Sequence, residues 1–163
     1  MTSKDYRKII LGELNFFLKE RQFKRAGNCF KMINADFVYG IELQSSKYST
    51  KDNLKIVFNY WIGSLLLYKL EDKKIIDHLR GHFGDRISPI NSDWWTVSNE
   101  AEMRSSIEQI KKQIEIIVYP QFDKIICIND LIEYWLNEAS TQPLSPLTQQ
   151  YLRLLSDKTE TAE

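Results

Sequence analysis

Two runs between Asp36 and Ile62 constrain this chain most, because each alternates apolar with mixed residues at a period of two. Phe37, Tyr39, Ile41 and Leu43 alternate with Val38, Gly40, Glu42 and Gln44; then Leu54, Ile56, Phe58, Tyr60 and Ile62 alternate with Lys55, Val57, Asn59 and Trp61. Successive side chains of a strand point to opposite faces, so this is the pattern of a half-buried β-hairpin. Matching the two apolar sets puts Leu43 against Phe58 and Ile41 against Tyr60, which brings Gln44 opposite Val57 and Glu42 opposite Asn59. One face is then core and the other mixed. Each large apolar side chain on the core face contributes about 1.5–3 kcal/mol when buried, enough for the hairpin to anchor a domain.

The rest of the chain supplies elements to cover that core. Ser3 can cap a first helix, with Asp5 in its opening turn and Tyr6, Ile10, Leu14 and Phe17 along one face, ending near Arg21. A strand over Asn28 to Ile33 leads into the hairpin, whose connection, Ser45 to Asn53, is long and polar. Leu65 to Tyr68 reads either as a continuation past a bulge or as a crossing to another layer. A short helix from Asp72 with Ile75, Ile76 and Leu79 follows, and then a second hairpin of Arg86-Ile87-Ser88 with Trp94-Trp95-Thr96-Val97, whose adjacent tryptophans must face opposite ways. Ser98 or Asn99 caps a long helix with Met103, Ile107, Ile110, Ile114 and Ile117 on one face, which Pro120 is expected to stop. Asn129 or Asp130 opens a helix with Leu131, Ile132, Trp135 and Leu136 on one side, and Ser145-Pro146 opens a last one. The order predicts an α+β fold: an antiparallel sheet of about four to five strands with helices packed on one face. Residues 1–156 read as a single globular domain and residues 157–163 as a frayed C-terminal tail.

Composition narrows the function classes. With 22 basic and 22 acidic residues, no global field favours nucleic acid or an anionic membrane. No uninterrupted apolar run reaches the length of a membrane span, and the first residues lack the pattern of a signal peptide. The two cysteines, Cys29 and Cys127, have no metal-ligand spacing and suit small buried positions in a reducing compartment, so the expected location is cytoplasmic.

The segments Leu18 to Phe30 (LKERQFKRAGNCF), IELQSSKYS, LKIVFNYWI, GDRIS and DWW carry a resemblance. Together they look like the bacterial family of domain of unknown function 4304, whose motifs correspond here to Phe23 and Gly27, Gln44 and Ser46, Asn59, Arg86, and Trp94 or Trp95. Where that family usually has Gly-Phe, this chain has Gln22-Phe23. The resemblance implies the α+β fold and brings no established activity.

Among chemical motifs, His78 and His82 stand four apart with Asp77 and Asp85 nearby, but the pair straddles Gly81 and lacks the Glu of a zinc peptidase helix, so an exposed helix end is preferred and no metal or cofactor is expected. No phosphate-binding glycine loop and no nucleophile elbow occurs. What remains is the mixed sheet face, where Glu42, Gln44, Ser46, Lys55, Asn59 and Trp61 project together with Arg86 and one of Trp94 and Trp95. Amide, hydroxyl, guanidinium and indole groups make up a recognition patch. The binding residues expected are thus Gln44, Ser46, Asn59, Trp61, Arg86, Trp94 and Trp95. The function expected is a small cytoplasmic binding protein without catalysis, holding a protein partner on this face or on the Ser45 to Asn53 loop, for instance as a toxin-neutralising, immunity-type protein. The alternative is a small-molecule or nucleotide binder with a polar pocket formed by Gln44, Asn59, Arg86 and Trp95. Single-stranded nucleic acid stacked on the sheet is a third and weaker option.

Overall fold

The computed structural model describes residues 1–71 and 81–160. The short helix expected from Asp72, with His78 in it, lies outside them. In order come α1 (Ser3–Lys19), β1 (Lys24–Ala26), β2 (Cys29–Ile33), β3 (Phe37–Ser45), β4 (Leu54–Ser64), α2 (Leu65–Leu70), β5 (Phe83–Ile87), β6 (Trp95–Val97), α3 (Glu100–Gln113), α4 (Tyr119–Lys124), α5 (Ile128–Ala139) and α6 (Pro146–Glu160). The fold is α+β. Its open sheet has six antiparallel strands in the order β1-β2-β3-β4-β5, with β6 also paired to β4. Leu65 to Tyr68 is helical, and Ser64 Oγ caps it by accepting the Leu67 N–H at 3.2 Å.

β3 and β4 pair as the two apolar sets require, with Leu43 opposite Phe58, Ile41 opposite Tyr60, Gln44 opposite Val57 and Glu42 opposite Asn59. Every inner-face residue from Phe37 to Leu43 and from Leu54 to Ile62 is at most 5% exposed. Tyr6, Ile10 and Leu14 of α1, Met103, Ile107 and Ile110 of α3, and Trp135 and Tyr151 farther on complete one core cluster.

Arg86-Ile87-Ser88 and Trp94 to Val97 do not form a hairpin with each other. β5 pairs with Phe58 to Ile62 of β4 and β6 with Leu54 to Ile56, so the two are halves of one interrupted edge. β4 is eleven residues long and neither strand covers it alone. Pro89, which has no N–H to give a ladder, and Ile90, 94% exposed, loop out between them beside Val57.

Pro120 does not stop the long helix. A π turn over Ile114–Val118, closed by the Tyr119 N–H on Ile114 O, takes up one extra residue. Pro120 then sits in the first turn of α4, where its missing N–H costs nothing. The extra residue also rotates the apolar stripe: Ile117 is 39% exposed, and Val118 takes its place in the core at 0%. In α5, Leu131 and Trp135 are buried while Leu136 turns outward.

Two caps, those of α1 and α5, differ from expectation, and that of α3 falls on one of the two residues expected; each has a partner three residues on. Thr2, not Ser3, caps α1 through a reciprocal box with Asp5, whose Oδ2 accepts the Thr2 N–H at 2.7 Å. Asn99 caps α3. Cys127 precedes α5, with Asp130 Oδ2 accepting the N–H groups of Ile126 and Cys127. α6 opens with Ser145 Oγ accepting the Thr148 N–H at 3.1 Å and runs to Glu160, past Ser156, whose hydroxyl donates back to Leu152 O at 2.9 Å.

Candidate binding site

On the sheet face away from the core, the ladders align a row of Cys29, Glu42, Asn59 and Arg86 across four strands. The adjoining row is Lys31, Gly40, Trp61 and Gly84. Trp61 lies flat across Gly40: a Cβ at position 40 would stand 2.1 Å from its ring. Gly84 brings the backbone of β5 close to β4, since a Cβ there would meet Tyr60 O at 2.3 Å. The indole is therefore almost wholly covered, 8% exposed, and forms part of a floor beside the polar row.

Together these residues line a concavity of about 880 Å³ whose wall includes Arg7, Glu42, Gln44, Asn59, Trp61 and Arg86. Asn59 Nδ2 donates to Gln44 Oε1 at 2.9 Å. That bond links the two amides across β3 and β4 and, among the described residues, leaves the Gln44 N–H groups and the Asn59 oxygen unspent, with Gln44 exposed and Asn59 half-buried. Arg86 lies 5.6 Å from the Trp94 ring centroid, a cation–π contact on the rim. Among the described residues no acidic group pairs with Arg7 or Arg86, and no cation pairs with Glu42. Arg7 Nε is in addition shielded from solvent without an acceptor. Asp85 borders the concavity, but it belongs to the opposite parity of β5 and its Oδ1 accepts the Arg86 N–H at 2.7 Å.

Gln44, Asn59, Trp61 and Arg86 are thus brought together, with Trp94 beside Arg86. Trp95 is turned into the core, 3% exposed, where its Nε1–H donates to Gln109 Oε1 at 3.2 Å. Ser46 belongs to the turn after β3: its N–H donates to Lys55 O and its Oγ accepts the Tyr48 N–H. Lys55 is held by Ser49, whose Oγ accepts its N–H at 3.0 Å. The contributor that sequence reasoning misses is Arg7, since a helix period shows which side is buried and not what stands beyond it. The available signal is the length mismatch between β2 and β3: their ladder ends at Cys29 opposite Glu42, short of the end of β3.

His82 is not at an exposed helix end. Its side chain is 2% exposed, Nδ1 accepts the Ser64 N–H at 2.9 Å, and Nε2 meets Glu71 Oε2 at 3.0 Å, so the ring proton sits on Nε2. Tyr68 and Tyr151 flank the ring. Among the described residues no group of three His, Cys, Asp or Glu could hold a metal, and no helix is long and apolar enough to cross a membrane.

A family model for a domain of unknown function (DUF4304) matches residues 14–124, more than half of the chain. No curated protein and no solved structure matches it. All of the outer-face row and Trp61 fall inside the matched region; Arg7, α5 and α6 fall outside.

Proposed function

We propose, for a chain that belongs to the DUF4304 family and takes no activity from that membership, a role as a small binding protein whose site is the polar concavity of the outer sheet face. The observation that carries this reading is the set of charges there without counterparts among the described residues: two guanidiniums, one with a shielded and unsatisfied Nε, and one carboxylate. Glu42 and Arg86 are solvated, but the Arg7 Nε is shielded, and shielded charge is costly unless something completes it, as a ligand can. The volume falls within the range of roughly 300–1,000 Å³ usual for small-molecule sites, and the lining calls for a polar occupant. The role suits a cytoplasmic protein, since Cys29 and Cys127 are not joined in a disulfide.

The test is a thermal-shift screen of small polar and charged metabolites against the full chain and its Asn59→Ala variant. A ligand at a hundred times its Kd stabilises by about 2.7 kcal/mol. At least one compound should raise the melting temperature of the wild type and not of the variant; a screen without such a compound overturns the reading.

A second occupant is favoured by the rim, where exposed Arg86 stacked on Trp94 has the makeup of an interface anchor. On that reading the face seats a partner protein, such as a toxin that the chain neutralises. A stoichiometric complex with a neighbour-encoded protein, lost in Arg86→Ala, supports it, and a complex indifferent to Arg86 removes it.

A further inference from the structure

Three ionised side chains of the concavity lack a counter-ion among the described residues: Arg7, Glu42 and Arg86. Glu42 and Arg86 lie in one row with Asn59 between them, two strand spacings or roughly 10 Å apart at the backbone. Arg7 reaches the same hollow from α1. The set carries two positive charges and one negative. Asp85 also borders the hollow, but it stands at the opposite parity of β5, beside Tyr60, and so is not part of the row that holds Glu42 and Arg86.

A ligand that satisfies this set carries two anionic groups and one cationic group. A simple dianion would answer both guanidiniums and be repelled by Glu42. A neutral zwitterion would answer Glu42 and one guanidinium and leave the other charge unpaired. Resting on the concavity being a binding site, we propose that its ligand is a free acidic amino acid, with its ammonium on Glu42 and its two carboxylates on Arg7 and Arg86. The free amide groups of Gln44 and Asn59 then give and accept the remaining hydrogen bonds, and Trp61 provides the apolar floor for the methylene chain.

Calorimetric titration of the full chain with three probes tests this: L-glutamate, L-glutamine, which lacks one carboxylate, and glutarate, which lacks the ammonium. Glutamate should bind roughly tenfold or more tightly than either of the others. Glu42→Gln should abolish the preference over glutarate. Of Arg7→Gln and Arg86→Gln, one should abolish the preference over glutamine and the other weaken both ligands, with the melting temperatures of all three variants close to that of the wild type. Glutarate binding as well as glutamate, or no heat with glutamate, overturns the assignment. If glutamate fails while another compound from the thermal-shift screen depends on Asn59, the concavity stands as a site and only its ligand class is wrong. If no compound does, both readings fall.

Discussion

Gly40 and Trp61 show how much of the site hangs on single residues. The indole occupies the space that a side chain at position 40 would need, so Gly40→Ala should lift the ring, destabilise the fold by about 1–3 kcal/mol in denaturant melts, and weaken any ligand of the concavity in parallel. Gln22 makes the opposite case. Its φ is +65°, a left-handed conformation that costs a residue with a Cβ about 1–2 kcal/mol, and it closes α1 through the Gln22 N–H on Lys19 O and the Phe23 N–H on Leu18 O. Gln22→Gly should therefore stabilise the protein by about 0.5–1 kcal/mol, after allowance for the entropy of glycine in the unfolded chain, as read from the shift in urea midpoint. Gln44, Asn59 and Trp61 could be placed together from the sequence because period two fixes parity once the apolar sets are paired. Parity also requires one of Trp94 and Trp95 to be inside, but choosing between them needs the pairing of Ile56 with Trp95, which is a long-range fact.

At the level of elements, a rule of local chemistry fails where the chain finds room to satisfy it in another way. Pro120 breaks an α-helical ladder, and the π turn before it supplies a ladder that Pro120 does not break. The phase change has a direct consequence: Val118→Ala should cost about 2 kcal/mol, whereas Ile117→Ala should cost less than about 0.5 kcal/mol, the reverse of what an unbroken heptad-like stripe implies. Guanidinium melts of the two variants decide it. The central pair β3 and β4 was legible because its pattern is long and a one-residue slip would turn every apolar side chain to the wrong face. β5 and β6 were not, because three- and five-residue strands carry too few residues to name their partner, and adjacency in sequence suggested each other when both belong to β4. β1 was missed for the same reason: its residues are all exposed and carry no alternation.

Across the whole molecule, the tyrosines report how the core responds to pH. Burial pushes Tyr60, Tyr68 and Tyr119 up to about 12, against an ordinary 10.0. The unfolded chain gives up these protons first. Their contribution to stability is thus complete below pH 10 and is lost as the pH rises toward 12, so phenolate absorbance from these three should appear together with loss of the circular dichroism signal rather than before it. Tyr60 and Tyr119 belong to the core on one side of the sheet, Tyr68 packs over Gly63 on the side that carries the proposed site, and the four tryptophans sample both sides: Trp61 in the floor, Trp94 on the rim, Trp95 and Trp135 in the core. The most direct measurement is the indole N–H spectrum of the full chain, titrated with any compound that raises its melting temperature. The Trp61 signal should shift saturably with Trp95 and Trp135 unmoved; a ligand that shifts the core indoles and leaves Trp61 in place would contradict the account.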